Sequence, residues 1–128
     1  MLFGASAGDP ACVLITTQKF RDFSAWMHIV VAVDTTQGTA SNRVKLYING
    51  TQVTSFSTET YPDQNYQFAT NAAVAHMIAR RPAGSKFLPG YLAETILVDG
   101  SQLAPDQFGE FDEDSGIWKP IDVSGLTF

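Results

Sequence analysis

The sequence predicts an all-β protein, and three observations support that fold class. Residues 26–33 are aromatic, apolar or β-branched at both alternating positions, as in a central strand covered on both faces. Asn49-Gly50 stands between two alternating runs, which is the strongest short-range signal of a β-hairpin. Residues 90–98 form a further strand-like run that ends at Asp99-Gly100.

Length and composition limit the classes of function. The chain has 128 residues, so we expect residues 1–128 to form a single domain. It carries 13 acidic and 8 basic residues, and this net charge of -5 argues against nucleic-acid binding, which depends on cationic side chains. No signal peptide and no apolar run of the about 20 residues that a membrane helix needs are recognisable. We therefore expect a soluble protein with no nucleic-acid or membrane partner.

The hairpin sequence also predicts a register. With a two-residue turn, Ile48 lies opposite Thr51 and Leu46 lies opposite Val53. Residues of one face then point to the core: Val44, Leu46, Ile48 and Val53. Those of the other face then point to solvent: Lys45, Tyr47, Gln52 and Thr54. The return strand is expected to run through residues 51–56.

The remaining elements follow from turn signals and context. Residues 34–42 are polar and are expected to form an exposed loop, and residues 57–71 a long connection with one short strand. Residues 72–79 have helix-forming alanines, but a strand suits a chain built of strands. Residues 105–108 predict one helical turn, and residues 111–120 predict two short extended pieces joined by an acidic turn.

Few side chains offer redox or transition-metal chemistry. Cys12 is the single cysteine, which excludes an intrachain disulfide, and it is expected to be a small buried apolar residue. His28 and His76 both lie in apolar runs and are expected to be buried or half-buried and hydrogen-bonded. One cysteine and two histidines do not make a zinc site.

Three blocks of the chain, at residues 24–34, 42–50 and 90–111, together carry a family resemblance. They contain Trp-x-His-Ile, then Leu-Tyr-Ile-Asn-Gly, then Gly-x-Leu-Ala-Glu followed by Leu-x-Pro-Asp-x-Phe. This combination resembles the laminin-G-like, concanavalin A-like domains found in bacteriophage structural proteins. The resemblance implies an antiparallel, two-sheet, jelly-roll-like sandwich. Such domains usually carry several strands before the Trp-x-His-Ile strand, so the sandwich is expected to be shortened on its N-terminal side.

The resemblance also implies a function. A capsid decoration, tail-fibre or spike component of the virion, assembled in the host cytoplasm, is the first expectation. A shortened sandwich exposes apolar surface and unpaired backbone groups, so copies of the chain, as a trimer first, and other virion proteins are the expected partners. The alternative is a carbohydrate-recognition module that contacts host-surface glycans.

We expect no catalytic residues. Glucanases of this superfamily use a Glu-x-Asp-x-x-Glu run, which Glu110 and Asp112 begin, but Ser115 stands in place of the last glutamate. Because a carboxylate pair requires both partners, a solvated acidic turn is the preferred interpretation and the chain is not expected to be an enzyme. No Gly-x-Ser-x-Gly nucleophile motif is present either.

Calcium is the only metal that the resemblance suggests, because many laminin-G-like domains bind it at the sandwich rim. Asp34 and Asn42 are the candidate oxygen ligands. The alternative is that Asp34 ends a strand and starts a turn, a position that Asp favours for local hydrogen bonding. No other cofactor is expected.

Aromatic residues outside the main apolar runs are the candidate contacts for a glycan or a protein partner, because sugar faces stack on rings. These residues are Tyr47, Tyr61, Tyr66 and Trp118. Ordinary packing is the alternative for each of them. A basic cluster, Arg80, Arg81 and Lys86, is expected to pair with residues 110–114 between subunits.

Overall fold

The computed structural model describes residues 2–3, 11–22, 24–70, 72–73, 76, 78–79 and 87–126. Regular structure in these residues is mainly β-strand, and every strand pair is antiparallel. The strands are β1 (Leu2–Phe3), β2 (Cys12–Thr16), β3 (Ile29–Val33), β4 (Val44–Ile48), β5 (Thr51–Gln52), β6 (Phe56–Thr60), β7 (Gly109–Phe111) and β8 (Trp118–Pro120). The described helical elements are α1 (Ala40–Arg43) and a 3₁₀ turn (Pro105–Gln107). The predicted all-β, antiparallel class is confirmed.

Two three-stranded sheets share one apolar core. One sheet has the order β1-β2-β6 and the other β3-β4-β5. Cys12 and Leu14 of the first sheet pack with Val44 of the second. Partly buried residues surround this cluster: Val31, Phe56, Tyr61 and Phe68. Side chains that meet between two sheets are the defining feature of a sandwich, in agreement with the predicted concanavalin A-like architecture.

Strand β2 supplies two of the three buried residues of this cluster, although it was not predicted from the sequence. Its buried residues, Cys12 and Leu14, alternate with less buried ones. Cys12 is fully buried, as predicted, and burial raises the pKa of its thiol. The thiol therefore stays protonated and acts as a packing group.

The predicted hairpin and its register are confirmed. Ile48 pairs with Thr51, and the Val53 amide donates to the Leu46 carbonyl at 2.8 Å. Asn49 and Gly50 have φ of 47° and 75°, the positive values that a type I′ turn requires. Val44 and Leu46, predicted to face the core, are buried.

The return strand of the hairpin is shorter than predicted. β5 ends at Gln52, whereas the prediction extended it to residue 56. After Val53 the chain crosses to the other sheet, where the Ser55 carbonyl accepts a hydrogen bond from the Thr17 amide at 3.2 Å. It then continues as β6, which pairs with β2.

The strand predicted over residues 26–33 is observed in part, as β3 (Ile29–Val33), but its predicted central position, covered on both faces, is not observed. β3 begins at Ile29, and in the described part of the chain it pairs with β4 alone. Asn49 explains where the strand begins: its Oδ1 accepts from the His28 amide at 2.8 Å while its own amide donates to the His28 carbonyl at 2.9 Å. Ile29 and Val33 are 45% and 38% exposed, so among the described residues β3 is an edge strand rather than a covered one.

Two other predicted strands are not observed. Residues 90–98 contain no strand, and Glu94 has a φ of 51°, a left-handed conformation that interrupts an extended chain. Within residues 72–79 the described positions (72–73, 76 and 78–79) are not in a strand, and the others lie outside the described residues. Apolar composition alone was misleading, because a strand also requires a neighbour for its backbone groups.

The C-terminal elements agree with the predictions. Residues 105–107 form the predicted helical turn. β7 and β8 form an antiparallel ribbon, with Phe111 opposite Trp118, and the acidic turn joins them. The predicted exposed loop at residues 34–42 ends in the single helical turn of α1, and β6 is the short strand predicted in the long connection.

No helix in the described ranges has the length and apolarity to span a membrane.

Candidate functional site

Trp118 anchors the β7–β8 ribbon to the turn of the β4–β5 hairpin. Its Nε1–H donates to His28 Nδ1 at 2.9 Å, and the two rings stack with centroids 6.0 Å apart and an interplanar angle of 23°. The ring also meets Phe111 edge-on, with centroids 5.0 Å apart. We call His28, Asn49, Gly50 and Trp118 the hairpin-end junction.

Glycines make room for the Trp118 ring. A Cβ on Gly50 would overlap the ring, and a Cβ on Gly109 would lie 2.6 Å from its Cε2 and Cζ2 atoms. The ring therefore occupies space that only glycine leaves open. Trp118 was a predicted glycan contact, but these internal contacts favour the alternative of ordinary packing.

His28 is half-buried and hydrogen-bonded, as predicted. Burial lowers the pKa of its imidazole, and the charge of Glu94 opposes this effect. Since the indole N–H is only a donor, Nδ1 must be unprotonated to accept its hydrogen bond. Lowering the pH past the pKa of His28 thus removes this contact. His76, predicted to be similar, is exposed, although its Nε2 lies 3.0 Å from the Ala69 carbonyl oxygen.

A concave surface lies beside the hairpin-end junction. Its volume is about 480 Å³, and we call it the hairpin-end cleft. The residues lining it are Gln18, Lys19, Phe20, Arg21, Asp22, Ala25, Trp26, Met27, Ile48, Asn49, Thr51 and Val53. Trp26 is 71% exposed and Phe20 is 40% exposed, so two rings are accessible to a partner.

The hairpin-end cleft also holds two cations, Lys19 and Arg21, and one carboxylate, Asp22. Lys19 and Arg21 form no ion pair or side-chain hydrogen bond with any other described residue. Asp22 lies beside them, but its Oδ1 accepts from the Ser24 amide at 2.9 Å and the Ser24 hydroxyl at 2.6 Å. Sequence reasoning placed Trp26 inside a strand and so missed this cleft. The sequence signal that could have indicated the cleft was Phe20, which lies between Lys19 and Arg21.

A second, larger cleft runs along the free edge of β3. It has a volume of about 960 Å³ and lies between residues 27–35 and residues 92–103, with Phe68 and Ile78 among its other lining residues. We call it the edge cleft. Leu92 and Leu97, on the side opposite β3, are 56% and 62% exposed. Sequence reasoning did not find it, because both walls were predicted to be paired strands.

The predicted aromatic contacts do not converge. Tyr66 lines the edge cleft and meets Phe68 edge-on at 5.1 Å, while Tyr61 packs on the core. The Tyr61 hydroxyl donates to Glu59 at 3.3 Å, and burial, followed by the charge of Glu59, raises its pKa. Tyr47 lies in β4 opposite Gln52. No ring contact joins any two of Tyr47, Tyr61, Tyr66 and Trp118, and all four lie in the described residues.

Local donors surround Asp34, the first candidate calcium ligand. Its Oδ1 accepts from the Thr36 amide at 3.0 Å and the Thr36 hydroxyl at 2.6 Å, and Oδ2 accepts from Gln37 Nε2 at 2.6 Å. These bonds, led by that from Gln37, lower the pKa of Asp34. Asn42 is exposed at the end of the same loop. Within the described residues, no group of three or more His, Cys, Asp or Glu side chains is placed to hold a metal ion. The arrangement favours the turn interpretation.

Glu110 and Asp112 share Lys119 as their cation, at 3.4 and 3.1 Å. The Ser115 amide and hydroxyl each donate to Asp112 at 2.9 Å, and these bonds hold the pKa of its carboxyl well below its usual range. Asp112 is therefore ionised at neutral pH and serves as the acceptor that closes the turn. The basic cluster predicted to face this stretch, at residues 80, 81 and 86, lies outside the described residues.

Comparison with known proteins agrees with the fold. A laminin G-type profile, described as the concanavalin A-like lectin/glucanases superfamily, matches residues 2–105. Neither the curated proteins nor the solved structures gave a match. The match spans most of the chain and includes both sheets of the sandwich, and it is consistent with a carbohydrate-binding or other binding module. This chain belongs to the concanavalin A-like lectin/glucanase superfamily.

Proposed function

We propose that this protein is a non-enzymatic structural and binding module of a virion, which mediates contacts between subunits as a capsid decoration, tail-fibre or spike component. The observation that carries the proposal is the edge cleft. There a strand edge that has no pairing partner among the described residues lies beside exposed apolar side chains.

The edge of β3 has the features of a protein-docking surface. An unpaired strand edge offers a row of backbone donors and acceptors to another chain, and soluble monomers usually protect such edges with charges or prolines. β3 (Ile29–Val33) carries neither. Its exposed Ile29 and Val33 continue into the apolar wall formed by Leu92 and Leu97. An exposed apolar surface of this kind is typical of subunit interfaces.

Copies of this chain, as a trimer first, and other virion proteins are the proposed partners. The resemblance of three sequence blocks to bacteriophage structural domains motivates the virion setting, and the superfamily match supports the binding role. The absence of enzymatic activity is proposed because Glu110 and Asp112 serve as acceptors for Lys119, and Ser115 replaces the third carboxylate. No cofactor is proposed.

Two variants with equal exposure test the docking role of β3. Ile29 in β3 and Ile15 in β2 are each 45% exposed, but only Ile29 lines the edge cleft. Ile29→Lys places a charge at the strand edge and is expected to shift the sedimenting mass toward one chain. Ile15→Lys should keep the wild-type mass. Equal masses for both variants would refute a role for β3 in assembly.

The virion setting has its own test. Antibody labelling of purified particles in the electron microscope is expected to show regular label on capsid, fibre or spike. Protein recovered only from the soluble fraction of infected cells, with unlabelled particles, would overturn that part of the proposal.

Carbohydrate recognition is the second candidate function, and one observation favours it. Trp26 is exposed inside a concave surface with polar neighbours, which is the arrangement that stacks a sugar ring. A glycan array would show binding that Trp26→Ala abolishes and Trp118→Phe retains. An array with no bound glycan would eliminate this candidate.

A further inference from the structure

We propose that the hairpin-end cleft binds the acidic turn of a second copy of this chain. The acidic turn is defined as residues 112–116, between β7 and β8. This inference rests on the proposed role in subunit contacts and extends it, because it names the partner and a second surface through which copies meet.

The charge of the hairpin-end cleft selects an anionic partner. Lys19 and Arg21 are exposed, outnumber the one carboxylate of the cleft, Asp22, and form no ion pair with a described residue, in a chain with a net charge of -5. Phe20 and Trp26 add two exposed rings to the same concavity. A neutral sugar would account for the rings but not for the two cations. A partner that fits this cleft carries negative charge between apolar side chains.

The acidic turn has this combination of charge and apolar surface. The Gly116 amide donates to the Asp112 carbonyl at 2.8 Å, which closes the turn. Glu113 and Asp114 are exposed within it and have no hydrogen-bond or ion-pair partner among the described residues. The residues on either side of the turn, Phe111 and Ile117, are 55% and 67% exposed. Two free carboxylates thus lie between two apolar side chains.

Among the described residues, the two surfaces do not pair within one molecule, although both lie near the hairpin turn. Asn49 and Thr51 line the cleft, while Trp118, which is paired with Phe111 beside the acidic turn, packs against Gly50. Described ion pairs of the β7–β8 ribbon involve Lys119 only. Both surfaces are therefore available to another copy, and opposite charges steer such an encounter.

Contact between two unlike surfaces has consequences for assembly. When each cleft binds the turn of the next copy, the contact repeats head to tail and closes as a ring, such as the proposed trimer. When two copies each bind the turn of the other, they form a dimer across a two-fold axis. Charges at the rim of such a contact are screened by salt. The contact should weaken in high salt, unlike the apolar contact proposed at the edge cleft.

Charge reversal on each surface tests the contact. The cleft variant Lys19→Glu/Arg21→Glu and the turn variant Glu113→Lys/Asp114→Lys are each compared with wild type by sedimentation over a concentration series. Each is expected to weaken self-association about tenfold or more, the sum of two exposed ion pairs. An equimolar mixture of both variants should recover association, since each supplies the surface that its partner needs. Asp63→Lys, an exposed reversal away from both surfaces, is the control and should keep the wild-type mass.

The outcomes separate this inference from the proposed function. If wild type assembles and both reversal variants assemble equally well, the inference is wrong while the role in subunit contacts stands. If wild type has the mass of one chain, both this inference and the proposed contact between copies of the chain are wrong. If an acidic oligosaccharide such as polygalacturonate changes Trp26 fluorescence and the reversals leave the mass unchanged, the cleft serves a glycan and the inference is overturned. Circular dichroism and melting curves confirm that each variant is folded.

Discussion

Residues 12–68 and residues 87–103 both contain apolar side chains at strand-like spacing, but the two regions differ in burial and in strand formation. In the first region Val44 and Leu46 are 2% and 4% exposed, between two sheets. In the second, Tyr91 and Leu97 are 89% and 62% exposed, and no strand forms over residues 90–98. The comparison shows that an apolar run becomes a buried strand only where a neighbour satisfies its backbone groups. Without one, its side chains remain available to a partner.

The largest contrast is expected between leucines of the two regions. Leu46→Ala removes buried methyl groups and leaves a cavity, so it should lower the free energy of unfolding by about 2–5 kcal/mol. Leu97→Ala removes an exposed side chain and should change it by no more than about 0.5 kcal/mol. Urea unfolding of both variants measures the difference. Equal losses would mean that Leu97 is buried as Leu46 is, and that the two regions do not differ in burial.

The hairpin-end junction predicts a smaller difference between two glycines. Gly50 and Gly100 both have positive φ, 75° and 79°, so a Cβ costs each about 1 kcal/mol of backbone strain. A Cβ at Gly50 also overlaps the Trp118 ring, whereas nothing lies within 4 Å of one at Gly100. Gly50→Ala should therefore cost about 2–3 kcal/mol in total. In a Trp118→Ala background the two glycine substitutions should cost the same.

A pH effect is expected at the same junction. The pKa of His28 is lowered in the folded protein, so the unfolded chain binds the proton more readily. The contribution of His28 to the free energy of unfolding is therefore fully present above pH 6.5, the ordinary pKa of histidine. It decreases as the pH falls from there toward the pKa of His28 in the folded protein. The loss should be smaller than the about 1 kcal/mol of a typical hydrogen bond, because His28 is only half-buried and solvent screens the effect.

His28→Gln is the control for this pH effect. Its melting temperature should be nearly flat between about pH 7 and pH 5, where histidine titrates. The carboxylates with lowered pKa, such as Asp34, lose stability only below their ordinary value of 3.8, so the two windows do not overlap. A wild-type melting temperature that stays constant across the histidine window would contradict the proposed junction.

The smallest effect is expected from calcium. The donors around Asp34 already satisfy its carboxylate, so calcium chloride and chelator should both leave the melting temperature unchanged. Asp34→Ala should lower the melting temperature slightly, because the turn loses its acceptor. A rise in melting temperature with calcium that Asp34→Ala abolishes would instead establish the ion site predicted at Asp34 and Asn42.

Local signals in the sequence predicted the local parts of the fold. Asn49-Gly50 predicted the hairpin and its register, Pro105 and Asp106 predicted the helical turn, and the acidic stretch predicted the turn between β7 and β8. These features depend on neighbouring residues, whose φ preferences and hydrogen bonds are readable from residue type.

Pairing between distant segments was not predictable in the same way. Nothing in residues 26–33 indicated that the Asn49 side chain would close the ladder at His28, or that β3 would lie at an edge. Residues 90–98 had the composition of a strand, but composition does not report whether a partner strand is present. The candidate clefts were missed for this reason, since both are bounded by segments far apart in sequence.

Sedimentation equilibrium of the wild-type protein at micromolar concentration tests whether copies of the chain associate through their exposed apolar surfaces. Exposed apolar side chains along the edge of β3 and in residues 87–103 predict a mass of two or more 13.9 kDa chains. A mass of one chain over the whole concentration range would show that these surfaces remain uncovered and would contradict the account.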